Sequence, residues 1–88
     1  MIEKRLTITN PLGLHLRPAG KLCKKAMEYE STVMIHFRSK EFNAKSLLGI
    51  LGACVQQNDE IVLVCNGKDE ETAAKEIAAY IECGMDDD

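Results

Sequence analysis

In the stretch Gly13-Leu14-His15-Leu16-Arg17-Pro18-Ala19, a histidine sits where a loop becomes a helix, with an arginine two residues on. A neutral imidazole is a competent nucleophile near neutral pH. A guanidinium offers a planar donor fork that matches phosphate oxygens. Proline is tolerated in a first helical turn, where its missing N–H has no intrahelical acceptor. With His15 as the N-cap, Leu16, Arg17 and Pro18 are the first three helical positions. Because the residue before a proline avoids the helical region, a start at Pro18 is also open. Either boundary leaves His15 at a helix N-terminus, where backbone N–H groups and the helix dipole favour an anion. The chemistry these groups compose is covalent phosphoryl transfer to the imidazole, with the helix end and Arg17 holding the oxygens. The plain alternative is a histidine that only caps the helix beside an unrelated surface arginine.

The elements around that stretch follow from periodicity. Residues 2–9 place Leu6 and Ile8 on one face with Thr7 and Thr9 opposite, which predicts a strand. Asn10-Pro11-Leu12-Gly13 is a turn. Ala19, Leu22, Cys23 and Ala26 recur at helical spacing, with Lys21, Lys24, Lys25 and Glu28 on the wet side. Val33, Ile35 and Phe37 alternate as a second strand; Ser39-Lys40 turns the chain into a third strand through Glu41-Phe42-Asn43-Ala44. Ser46 caps a short helix that ends near Gly52. Gln56 to Asp59 form a polar turn, and the almost wholly apolar run Ile61–Cys65 predicts a central strand. Asp69 caps a last helix whose inner stripe is Ala74, Ile77, Ala78 and Ile81. The order β-α-β-β-α-β-α predicts an α+β open-faced sandwich, a four-stranded antiparallel sheet with three helices on one face.

Composition excludes several classes. The 88 residues carry 11 Lys+Arg against 14 Asp+Glu, and the charges balance once the terminal Asp86-Asp87-Asp88 is set aside. A neutral body lacks the basic stripe of a duplex-binding protein, so no nucleic-acid partner is expected. At 45% apolar residues the chain is not a disordered one. It forms one domain over residues 1–88, with the acidic tail 84–88 expected to be flexible. No apolar run reaches membrane-spanning length, and a cytoplasmic location is expected. Cys23, Cys54, Cys65 and Cys83 contain no Cys-x-x-Cys pair, which points to free thiols, with Cys83 exposed and oxidisable. No metal and no cofactor are expected. His36 alternates out of phase with its apolar neighbours and is read as a surface residue without a role.

The segment Asn10-Pro11-Leu12-Gly13-Leu14-His15-Leu16-Arg17-Pro18-Ala19 resembles the active-site signature of the HPr family, the histidine-containing phosphocarriers of the phosphoenolpyruvate-dependent phosphotransferase system. Asn43-Ala44-Lys45-Ser46-Leu47-Leu48-Gly49 resembles that family's serine-phosphorylation block, and Asn66-Gly67-Lys68-Asp69-Glu70-Glu71-Thr72-Ala73 its third block. The resemblance implies the same sandwich. It also implies that His15 accepts a phosphoryl group on Nδ1 from enzyme I and passes it to IIA components of sugar uptake systems, with Arg17 steadying the phosphate. It further implies that Ser46 is a target of HPr kinase/phosphorylase, and that the modified protein can bind a transcriptional regulator. The implied docking surface is Leu16, Gly20, Lys24, Lys45, Leu47, Leu48 and Leu51, on a protein that is a monomer and not itself an enzyme. Leu48 is expected to point away from the face that Leu47 and Leu51 share.

This chain departs from the family pattern at several places. Leu16 stands where a small or polar residue is usual. Cys54 and Asn58 stand where glycine is common; Asn58 suits a left-handed turn, and Cys54 is expected to fill a gap in helix packing. The acidic, Gly84-containing tail resembles the nitrogen-branch paralogue. Two other functions compete with the sugar-branch carrier: a regulatory or nitrogen-branch module that acts by binding proteins, and a small acylphosphatase-like hydrolase. The hydrolase would need an Arg–Asn pair in a Gly-rich phosphate cradle, which the sequence lacks. Relatives without carrier activity have replaced the histidine that His15 retains.

Overall fold

The computed structural model describes residues 1–85. Strands β1 (Ile2–Thr7), β2 (Thr32–Phe37), β3 (Lys40–Asn43) and β4 (Glu60–Asn66) form one antiparallel sheet in the order β1-β4-β2-β3. The apolar run of β4 occupies a central position between β1 and β2. Its register pairs Leu6 with Ile61, Ile35 with Leu63 and Val33 with Cys65, so these buried side chains share one face. A side-chain period of two puts the intervening residues Met34, His36, Val62 and Val64 on the opposite face. There His36 pairs across the strands with Glu41 at 2.8 Å.

Helices α1 (Leu16–Ala26), α2 (Leu47–Gly52) and α3 (Glu70–Glu82) close over the apolar face. α1 buries Pro18, Ala19, Leu22 and Ala26; α3 buries Ala73, Ala74, Ile77, Ala78 and Ile81. The carboxylate of Asp69 does not cap its own helix. It accepts the backbone N–H groups of Glu30 and Ser31 at 3.0 and 2.9 Å and the Ser31 hydroxyl, which fixes the entry to β2. The Ser31 hydroxyl, with these N–H groups, holds the Asp69 carboxyl below the usual carboxylate range.

Three expectations are corrected. The β2–β3 turn falls on Arg38-Ser39, one residue early, because Arg38 takes the left-handed conformation (φ 59°) and Lys40 already pairs with Phe37. Cys54 fills no packing gap: it is exposed and left-handed (φ 55°), the conformation that explains why glycine suits this position. The first two residues counted in the expected tail, Gly84 and Met85, are packed. Gly84 (φ 85°) and Met85 complete a Schellman motif, with the Met85 N–H on the Tyr80 carbonyl at 3.0 Å and that of Gly84 on Ile81 at 3.1 Å. Met85 is fully buried in the core; the remainder of the expected tail, residues 86–88, lies outside the described residues. Asn58 is left-handed as expected (φ 72°). All four cysteines are free thiols, and Cys54 and Cys83 are the exposed ones.

Candidate functional site

The loop before α1 is pinned from both sides. Asn10 is buried; its carbonyl accepts the Gly13 N–H at 2.8 Å and its amide donates to the Gly84 carbonyl at 2.9 Å. Leu14 is buried and donates its N–H to the Val55 carbonyl at 2.9 Å. Gly13 adopts φ +66°, and a Cβ there would stand 2.2 Å from the Val55 carbonyl oxygen. Glycine is therefore demanded by both conformation and space two residues before His15.

His15 is the N-cap of α1, with extended backbone (φ −80°, ψ −175°), and its carbonyl accepts the Ala19 N–H at 2.9 Å. The helix thus begins at Leu16, and the alternative start at Pro18 is set aside. The imidazole makes no capping bond to the helix, so the plain cap reading lacks its defining contact. The side chain is half-buried, Arg17 is exposed at the second helical position, and Pro18 is buried at the third. Leu16, Gly20 and Lys24 follow one another at four-residue steps and line one ridge of α1. Leu16 is 66% exposed. Gly20 is half-buried, and a Cβ there would meet nothing within 4 Å, so the packing of this chain does not require glycine.

Ser46 is the N-cap of α2, and its Oγ accepts the Gly49 N–H at 3.1 Å. The Cys23 thiol of α1 donates to the Lys45 carbonyl at 3.4 Å and ties that turn to the first helix. Leu48 projects outward at 82% exposure, while Leu47 and Leu51 are half-buried against the core. The inward anchor of α2 is Ile50, fully buried, which the leucine pattern did not single out. Lys45, expected to offer its charge at the rim, is instead turned onto the Tyr29 carbonyl at 2.7 Å and half-buried. Its ammonium answers a carbonyl that the chain exposes as it leaves α1.

Leu12, a turn residue by its sequence neighbours, is 70% exposed in the loop that leads to His15. The signal was present: an apolar side chain between Pro11 and Gly13 in a turn has no core to enter. Among the described residues, no cluster of three His, Cys, Asp or Glu could hold a metal ion, and no helix is long and apolar enough to cross a membrane.

Comparison with known proteins fits this geometry. The family described as "PTS HPr component phosphorylation site" matches residues 2–83. The phosphocarrier protein HPr of Lysinibacillus sphaericus is 33% identical over 81 residues, which cover 92% of each chain. The crystal structure of HPr-C-His from Thermoanaerobacter tengcongensis superposes with a TM-score of 0.95 at 34% identity, covering 100% of this chain and 99% of that one. The catabolite-repression protein Crh of Bacillus subtilis, solved as a dimer with a swapped domain, matches with a TM-score of 0.77 at 30% identity. The match covers 96% of this chain and 97% of that one.

Proposed function

The chain belongs to the HPr family of phosphotransferase-system phosphocarriers, and from that premise we propose that His15 is the atom-bearing site of the carrier and Arg17 its phosphate clamp. The observation that supports this is one arrangement: an imidazole at the N-cap of an 11-residue helix, making no cap bond, with a guanidinium two residues on. In this reading Nδ1 of His15 attacks the phosphorus of phosphohistidine on enzyme I. The new N–P bond forms as the donor's N–P bond breaks, and the bonding electron pair returns to the donor imidazole. The phosphoryl oxygens rest against the N-terminal end of α1 and the Arg17 fork. The reverse geometry delivers the group to an IIA component. The protein is then a substrate at each step and no catalyst, and acts in the cytoplasm as a monomer.

The finer assignments have separate supports. The exposed Leu12, Leu16 and Leu48 supply apolar contact area for enzyme I and IIA partners, with Lys24 as the cation beside them. Ser46 is the site for an HPr kinase/phosphorylase, and its phosphate would sit at a helix N-terminus that tolerates an anion. The likeness to Crh supports a second reading, a module that acts by binding a transcriptional regulator once Ser46 is modified. One experiment separates them: incubation with phosphoenolpyruvate and enzyme I, followed by intact-mass measurement. The carrier reading expects a single acid-labile phosphoryl group that His15→Ala abolishes in a folded protein. A His15→Ala protein phosphorylated at the wild-type rate would overturn it.

A further inference from the structure

Lys21, Lys24, Lys25 and Glu28 of α1 and Tyr80 of α3 line a cleft of about 420 Å³. Sites for small-molecule ligands span about 300–1,000 Å³. The helix C-terminus favours two of the three lysines, Lys24 and Lys25, which stand in the last turn of α1. It does not account for Lys21, which meets both at three- and four-residue spacing, where like charges repel. The cations are of two kinds. Lys25 is held in place: its Nζ stands 5.7 Å from the centroid of the Tyr29 ring and 5.9 Å from that of Tyr80, and it pairs with Glu28 at 3.4 Å. The Tyr29 hydroxyl beside it, ahead of Glu28, raises its pKa above the ordinary lysine value. Lys21 and Lys24 pair with no carboxylate among the described residues. Residues three apart on a helix have Cβ atoms about 5–6 Å from each other, so both ammonium groups can reach one phosphoryl group.

We propose that this cleft binds a small phosphomonoester that carries hydroxyl groups, a sugar phosphate by chemical class, with its phosphoryl oxygens on Lys21 and Lys24 and a hydroxyl on Glu28. The lysines alone would suit any anion. Glu28 narrows the choice. An ionised carboxylate only accepts hydrogen bonds and repels a second anion, so the group that meets it is a neutral donor such as a hydroxyl. The Tyr80 ring gives the carbon skeleton an apolar wall. A rise of about 1.5 Å per residue puts Lys24 about 14 Å along the helix from His15. The cleft is therefore a second site, and it does not rest on the carrier reading.

The test uses glucose 6-phosphate as the probe, titrated into the 88-residue protein at low salt while backbone amide resonances are followed by NMR. Saturable shifts are expected at Lys21, Lys24, Glu28 and Tyr80. Glucose should produce none, and inorganic phosphate should bind about three- to tenfold more weakly for want of the hydroxyl contact. Lys21→Gln and Lys24→Gln should each weaken binding about two- to fivefold, as the loss of an exposed charge pair does. Glu28→Ala should abolish the preference for glucose 6-phosphate over inorganic phosphate, and His15→Ala should leave both affinities at the cleft unchanged. Shifts confined to Leu16 through Ala19, or lost in His15→Ala, place the probe at the first site and overturn the proposal. Unaltered affinity in the two lysine variants overturns it as well. So does equal affinity of the wild type for glucose 6-phosphate and inorganic phosphate, because no hydroxyl is then read.

Discussion

Replacing Gly13 by alanine tests how the fold sets the histidine. The added Cβ would lie 2.2 Å from the Val55 carbonyl oxygen and 2.7 Å from the Gln56 Cα, both backbone atoms that cannot rotate aside. An ordinary carbon–oxygen contact is about 3.3 Å or more, so one strand of the loop must retreat by about 1 Å. That retreat stretches the bond from the Leu14 N–H to the Val55 carbonyl, whose loss costs about 1 kcal/mol. The left-handed φ of +66° adds about 1–2 kcal/mol for a residue with a Cβ. The expected total is about 2–4 kcal/mol, or a Tm lower by roughly 10–25 °C in a domain of this size. The retreat also displaces His15, two residues away, and a misplacement near 1 Å can slow a positioned reaction by about 10²-fold. Thermal denaturation and the rate of phosphorylation by enzyme I measure both effects on one sample, at a temperature where circular dichroism shows the variant folded. A loss below about 1 kcal/mol together with a wild-type rate would refute the claim that this contact positions the site.

Leu48→Glu should leave stability within about 0.5 kcal/mol while weakening association with enzyme I, whereas Ile50→Ala should cost about 2–5 kcal/mol; titration and urea denaturation of the pair check both, and equal enzyme I affinity for Leu48→Glu removes α2 from the interface. Ser46→Asp should slow phosphorylation of His15 with an unchanged fold, and Ser46→Ala should cost about 1 kcal/mol through the lost cap but keep the rate; identical rates in two folded variants leave Ser46 as a cap alone. Asp69 has a depressed folded-state pKa, so its contribution to stability is present above about pH 4 and is lost as pH falls through the folded value. Asp69→Asn should therefore be less stable than wild type near neutral pH and converge with it in acid, and a denaturation series against pH reads this directly.

What the sequence could show was set by how local the cause is. Alternation in β1 and β2, the apolar run of β4 and the helical stripe of α1 are short-range patterns, and they placed the sheet, the helix and the position of His15. The cap role of Ser46 and the outward turn of Leu48 followed from the same kind of reasoning. The failures share a different origin. Arg38 and Cys54 take left-handed backbone without being glycine, and their side chains carry no sign of it. Lys45 turns inward because the carbonyl of Tyr29, 16 residues earlier in the chain, comes to lie beside it. Met85 is ordered by the helix end it closes, although the residues after it read as an acidic tail. Ile50 was masked by neighbouring leucines that compete for the same inward face.

The pinning of the His15 loop has a consequence for biosynthesis. β1 has β4 as its only sheet neighbour, and the loop after it is fastened by residues from the same late region. Ile8 exchanges bonds with Asn58 and Asp59 at 2.6 and 2.9 Å, and Leu14 bonds to Val55 at 2.9 Å. A ribosome that has extruded residues 1–50 has delivered the histidine, the arginine and the whole of α1, but none of the backbone that holds them in place. The loop that carries His15 can take this geometry only once these non-local pairings form, and pairings so far apart in sequence carry a loop-closure cost. An N-terminal fragment that displays residues 10–19 therefore lacks the backbone partners that shape this loop in the folded protein.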